Sequence, residues 1–148
     1  MRAVVQRVSR AKVTIEGAIR GEISRGYMVL LGIEENDGEA ELDYICEKLI
    51  GLRIFEDEAG KMNLAVTDVG GSILLISQFT LYGDARKGRR PGFIRAARPE
   101  KAIPLYEAAI ARLRESVPVE TGEFGADMQV ELVNDGPVTI LLDSERIF

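Results

Sequence analysis

The stretch AKVTIEGAIRGEISRGYMVLLGI, residues 11–33, decides how the chain folds. Ala11–Glu16 and Ala18–Ile23 are β-rich runs that flank Gly17, the pattern of a hairpin closed by a glycine turn. Tyr27–Ile33 comes next as an unbroken apolar run, as expected of a strand buried on both faces. Upstream, Met1–Val8 alternates and is rich in valine, so it reads as a further strand. Downstream, Asn36-Asp37-Gly38 is a turn, and Asp37 is placed to cap the helix after it. Within Glu39–Leu52 the apolar residues Leu42, Ile45, Cys46, Leu49 and Leu52 recur at helical spacing. Ser72–Phe79 (SILLISQF) is the most apolar strand candidate. Tyr82–Gly92 holds three glycines and a proline and reads as a loop. Pro99 suits the N-terminus of a second amphipathic helix over Glu100–Ser116. Met128–Asn134 and Val138–Leu142 read as two strands separated by Asp135-Gly136-Pro137. This succession predicts an α+β fold: a mostly antiparallel, barrel-like sheet with two main amphipathic helices, residues 1–148 forming one domain.

Composition narrows the chemistry. The chain has no histidine, which excludes Ser-His-Asp and Cys-His machinery, imidazole bases and histidine zinc sites within it. No metal site and no cofactor is expected. Its lone cysteine, Cys46, excludes an intrachain disulfide, suits a reducing compartment and falls on the apolar face of the first helix. No apolar run approaches the roughly 20 residues of a membrane helix. The opening MRAVVQRV lacks a secretory h-region, so a cytoplasmic location without membrane contact is expected. Net charge is −5, unfavourable for nucleic acid on global grounds, yet the charge is polarised. Arg86, Lys87, Arg89, Arg90, Arg95, Arg98 and Lys101 face a single acid, Glu100, within Arg86–Lys101.

Three segments and one arginine are candidates for chemistry. Ser77, Gln78, Phe79, Thr80 and Leu81 end the strongest strand, where backbone N–H groups at a sheet rim could form an oxyanion hole. Spacing alone favours the plainer reading, a strand end whose hydroxyls satisfy nearby backbone. Asn134-Asp135-Gly136-Pro137-Val138-Thr139 is a turn by local rules, or a rigid Gly-Pro with outward carbonyls that gauges shape. In Gly83–Arg98 the cations, with Phe93 among them, either form a solvated loop or grip phosphates and stack on a base. Arg7, among apolar neighbours, is either an outward alternate residue or a guanidinium that fixes a backbone carbonyl.

Together SQFTL at Ser77–Leu81 and NDGPVT at Asn134–Thr139, supported by GRRP at Gly88–Pro91 and LYE at Leu105–Glu107, resemble the D-aminoacyl-tRNA deacylase family of the bacterial and eukaryotic type. The resemblance runs along essentially the whole chain. It implies a hydrolase acting on carboxylic ester bonds, which proofreads translation by releasing D-amino acids from mischarged tRNA. It also implies a homodimer with active sites at the subunit interface. Gly136-Pro137 would be a cis peptide that enters the partner's pocket and excludes L-aminoacyl groups. Asn134, Val138 and Thr139 would complete that substrate-binding element, and Arg7 would hold it. Achiral glycyl-tRNA would be a substrate as well. SQFTL would line the pocket for the 3′-terminal adenosine and the ester, and Arg86, Lys87, Arg89 and Arg90 would bind tRNA.

The mechanism most compatible with a chain lacking histidine is attack by water on an already activated ester. The neighbouring ribose hydroxyl assists, and the N–H groups of Phe79 and Thr80 hold the oxyanion. Thr80 as a covalent nucleophile is the alternative, although no base stands beside it in sequence. The rival from another class is a non-catalytic RNA-binding module that uses the basic loop alone. A less favoured rival is an esterase of free small molecules.

Overall fold

The spine of the sheet is one long strand, β1 (Arg2–Ile15), where local patterning suggests two. The computed structural model describes residues 1–148. Along one edge β1 pairs antiparallel with β3 (Gly26–Gly32) and then with β2 (Ala18–Ile23); along its other edge it pairs antiparallel with β8 (Gln129–Asp143). β6 (Ser72–Ser77) lies parallel to β3, and β7 (Val119–Thr121) parallel to β6. The sheet is therefore mixed, with its long pairings antiparallel. The two parallel neighbours are reached through α1 (Glu39–Gly51) and α2 (Pro99–Arg114). A short hairpin, β4 (Phe55–Glu56) and β5 (Met62–Leu64), stands apart.

Burial on both faces explains the unbroken apolar runs. On one face Tyr27, Val29, Leu31, Ile73 and Leu75 pack with Leu42, Ile45 and Leu49 of α1 and with Tyr106, Ala109 and Leu113 of α2. On the other, Met28, Leu74 and Ile76 join Val8, Ala11, Val13 and Ile23 in a smaller core. The sheet curls around this second core until β2 approaches β7. A Cβ at Gly21 would lie 2.8 Å from the Thr121 carbonyl oxygen, so only a glycine admits that closeness. The barrel is nearly closed, and the outer edge of β8 has no strand partner in the chain.

Two local expectations are corrected. Asp37 does not cap α1. Gly38 is the cap residue, and its N–H is accepted by the Glu41 carboxylate at 2.8 Å. The Asp37 carboxylate is instead buried, accepting the Met1 ammonium at 2.6 Å and the Glu34 N–H at 2.7 Å. Nor does Asp135-Gly136-Pro137 turn the chain back. β8 runs antiparallel to β1 both before and after it. Both halves of β8 share one partner, a long-range pairing that local turn rules do not see. No helix is long and apolar enough to cross a membrane.

Candidate active site

β6 delivers its polar end to a pocket. After the buried Ile73–Ile76, Ser77 completes the strand and the Gln78 N–H bonds the Leu31 carbonyl at 2.8 Å. The chain then tightens into a 3-10 turn, Phe79–Tyr82, in which the Leu81 and Gly83 N–H groups are taken by the carbonyls of Gln78 and Thr80. Phe79 and Thr80 stand in the first turn, where no intrahelical carbonyl can accept their N–H groups. Ser77, Gln78 and Phe79 line a cavity of about 300 Å³, walled by Leu31, Ala97, Ala102 and the loop Phe124–Met128. Thr80 is exposed and lies outside that lining, and its hydroxyl accepts a hydrogen bond from the Gln78 amide. An amide is no base, so nothing beside Thr80 activates it. The turn is braced from below by Arg2. Its Nη1 donates to the Leu81 carbonyl at 3.1 Å, its Nε to Asp143 at 2.7 Å, and its guanidinium covers the Tyr82 ring.

Phe124–Met128 has almost no signature in the sequence. Its one local signal is Gly122-Glu123-Phe124-Gly125, a glycine-framed aromatic between strands, with Gly125 at φ +78°. A loop that reaches the pocket only through tertiary folding leaves little more trace than that.

The second signature is a bulge built opposite Arg7. Between the register pairs Gln6↔Thr139 and Val8↔Asn134, β1 contributes one residue, Arg7, while β8 contributes four, Asp135–Val138. The surplus is pushed out of the sheet, leaving Asp135, Gly136 and Pro137 exposed and Val138 buried. Asn134 closes the neck, its Nδ2 donating to the carbonyls of Arg7 and Val138, both at 3.0 Å. Both amide hydrogens are thus spent on the protein itself. Thr139 is exposed, and its hydroxyl accepts from Gln6 at 3.4 Å. Arg7 is buried at 6% exposure, so it is not an outward alternate residue. Its Nε donates to the Asp135 carbonyl at 3.0 Å and its Nη1 to the Ile54 carbonyl at 2.7 Å. The Gly136-Pro137 peptide bond is cis, and Gly136 has φ +135°. A Cβ on Gly136 would lie 2.7 Å from Val138 Cγ2 and 3.1 Å from Arg7 Nη2.

Within one chain the two signatures do not meet. Ser77 lies in register with Leu31 and Ala3, whereas the bulge lies beside Arg7 on the far side of β1. Three strand spacings across and four residues along give roughly 20 Å over the sheet.

The basic loop is divided by its acids. Arg86 forks onto Asp84 at 2.9 and 2.7 Å, holding that carboxyl well below its ordinary pKa. Arg95 is held by Glu34 at 2.5 Å and by Glu145 at 3.0 Å. Lys87, Arg89 and Arg90 are exposed, with no carboxylate partner. Cys46 sits in the core, where burial pushes its thiol up to about 11.

Fold and site together define a histidine-free α+β domain with an apolar pocket at a polar strand end, beside a basic loop in which Lys87, Arg89 and Arg90 have no carboxylate partner. The chain belongs to the D-Tyr-tRNA(Tyr) deacylase family, whose model matches residues 4–143. It is 62% identical to a D-aminoacyl-tRNA deacylase of Symbiobacterium thermophilum, over 100% of this chain and 99% of that protein. It is 64% identical to one of Anaeromyxobacter dehalogenans, over 100% of both. Among solved structures, the c-Myc DNA Unwinding Element Binding Protein superposes with TM-score 0.92 at 45% identity, covering 97% of this chain and 98% of that one. A probable eukaryotic D-amino acid tRNA deacylase shares the fold at TM-score 0.82 and 18% identity, over 95% and 97%.

Proposed function

We propose that this protein hydrolyses the ester linking a D-amino acid to the 3′-terminal adenosine of tRNA, and that it does so as a homodimer in the cytoplasm. One observation carries the dimeric reading. The rim of Ser77–Phe79 forms a pocket, while Gly136-Pro137 is an exposed, braced projection roughly 20 Å away measured over the sheet, on an edge without a strand partner. A projection and a pocket that cannot meet in one chain can meet across a two-fold axis, each protomer serving the other.

In this reading the terminal adenosine and ester enter the pocket, and Gly136-Pro137 of the partner subunit faces the α-carbon. A D-side chain points away from that wall, and an L-side chain runs into it. Overpacking a rigid site by one methyl costs roughly 1–3 kcal/mol. Glycine has nothing to collide, so glycyl-tRNA is cleaved as well. Water adds to the ester carbonyl, and the Phe79 and Thr80 N–H groups receive the developing oxyanion. As the C–O bond breaks, the leaving ribose oxygen takes a proton with help from its neighbouring hydroxyl, giving free amino acid and tRNA.

The test is side-by-side incubation with D-Tyr-tRNA, L-Tyr-tRNA and glycyl-tRNA, with sedimentation to establish the oligomer. Hydrolysis of the D- and glycyl-esters by a dimer, with L-Tyr-tRNA spared, is expected. The name of the solved relative at 45% identity supports nucleic-acid binding as a second reading. A pure binder would protect all three esters, and a general esterase would cleave the L-ester too.

A further inference from the structure

A second cavity, about 680 Å³, shares the 3-10 turn with the apolar pocket: Phe79 lines one and Tyr82 the other. Its cationic lining is Arg86, Lys87, Arg90 and Arg95, and its acid is Asp84. Two of these cations are already committed. Arg86 is forked onto Asp84, and Arg95 is tied to Glu34 and Glu145 while lying 5.5 Å from the Tyr82 ring centre. Lys87 and Arg90 remain, exposed and without a carboxylate. Arg89, equally exposed and in the same loop, is not part of the lining. Exposed apolar side chains stand between the two cavities. Ile94 lines the second one while 96% exposed, and Phe93, in the lining of neither, precedes Ile94 in the chain and meets Phe79 of the first edge-on at 5.2 Å between ring centres. Such surface beside unpaired cations is what single-stranded nucleic acid requires: a platform for base faces and charges for the backbone.

We infer that this second cavity is a subsite for the single-stranded nucleotides immediately 5′ of the terminal adenosine, with Lys87 and Arg90 as its phosphate ligands and Phe93 and Ile94 as its base platform. The inference rests on the deacylase reading of the apolar pocket. Spacing supports it. Phe79 and Tyr82 are three residues apart in the 3-10 turn, so at about 2 Å rise each the two linings are offset by roughly 6 Å along it. That is about two nucleotides at roughly 3.4 Å per stacked step, short of the duplex stem beyond the CCA terminus. Arg86 and Arg95 then act on the loop, holding its base in place, and not on the phosphates.

Three substrates of increasing length test the assignment: D-tyrosyl-adenosine, D-tyrosyl-CCA trinucleotide and full-length D-Tyr-tRNA. Each is assayed for kcat/KM with wild type, with the Lys87→Ala/Arg90→Ala variant and with Arg89→Ala. These side chains are exposed, so melting temperatures should match. Wild type is expected to gain about tenfold or more between adenosine and trinucleotide. The double variant should lose that gain and match wild type on adenosine alone; Arg89→Ala, outside the lining though in the tRNA-binding loop, should keep the trinucleotide gain and lose only on full-length tRNA. An equal gain in wild type and double variant overturns the subsite. So does a defect confined to full-length tRNA, which would place Lys87 and Arg90 against the stem. A defect of Arg89→Ala equal to the double variant overturns it as well, leaving only diffuse charge. Should wild type cleave tRNA without any trinucleotide gain, the subsite alone fails; should it fail on D-Tyr-tRNA itself, the deacylase reading fails with it.

Discussion

The bulge Asp135–Val138 and the rim Ser77–Tyr82 carry the two signatures, and they are built in opposite ways. In the bulge the backbone is held on every side by side chains. Asn134 closes its neck, Arg7 holds the Asp135 carbonyl, and Val138 is packed into the core beneath it. At the rim the chain leaves N–H groups in the first turn of the 3-10 helix and opens onto a pocket. One element has its neck and base fixed by Asn134 and Arg7, and the other keeps first-turn N–H groups available. Rigidity suits a surface that excludes, and available donors suit a surface that stabilises charge. The proposed division of labour rests on that contrast, and substitutions at each element can break it.

The largest effect is expected at Gly136. A Cβ there would lie 2.7 Å from Val138 Cγ2 and 3.0 Å from its backbone N, at a φ of +135° that L-side chains rarely adopt. Either the bulge shifts or Arg7 yields. A misplacement of about 1 Å can cost on the order of a hundredfold in rate. Gly136→Ala should therefore lose at least that much D-aminoacyl-tRNA hydrolysis. Thermal unfolding measured on the same sample separates a shifted bulge from a failed fold. Near-normal turnover by a folded variant would remove the bulge from the proposed site.

Arg7 comes next. Its two donors join the carbonyls of Asp135 and Ile54, so the bulge is braced against the segment between α1 and β4. Lysine keeps the charge but cannot present a planar fork to two acceptors. Arg7→Lys should leave one buried carbonyl short of its charged donor, at a cost of about 1.5–3 kcal/mol in unfolding free energy. Activity should fall with it, chiefly in kcat and with KM little changed, because Arg7 spends its donors on the Asp135 and Ile54 carbonyls and acts on the bulge from beneath. A rise in KM alone would mean that Arg7 touches substrate directly, and the bulge would then bind rather than exclude.

The same contrast explains what the sequence discloses. Helical periodicity in Glu39–Leu52 and the apolar runs of β3 and β6 are local signals, and they locate the helices and the central strands. Residues 134–139 mislead because Asp, Gly and Pro are turn residues by every local rule, while the continuity of β8 depends on its pairing with β1 from the other end of the chain. Arg7 is half legible. Its sequence context fits an outward residue or a guanidinium that fixes a backbone carbonyl, and only the four-against-one register, which makes a carbonyl available to it inside, decides for the second. The short β7 and the pocket wall Phe124–Met128 are set by docking against neighbours and carry almost no periodicity of their own.

The smallest effect, and the one that separates mechanisms, is expected at Thr80. Its side chain is exposed, lies outside the pocket lining and is bonded by the Gln78 amide, and the water mechanism gives it only the orientation of the rim. Removing the hydroxyl in Thr80→Ala deletes one supporting hydrogen bond, worth about 0.5–1.5 kcal/mol, or roughly tenfold at most. The backbone N–H groups of Phe79 and Thr80 survive the substitution. A covalent nucleophile would behave differently, its loss costing several orders of magnitude. Single-turnover deacylation of D-aminoacyl-tRNA reads the difference directly. The pH profile gives a second reading. With no histidine in the chain, the water mechanism predicts no inflection near pH 6.5 from a protein imidazole, and wild type and Thr80→Ala should share one profile. Abolished hydrolysis in a folded variant, with an acyl-enzyme trapped on wild-type Thr80, would transfer the chemistry from the backbone of the rim to its side chain.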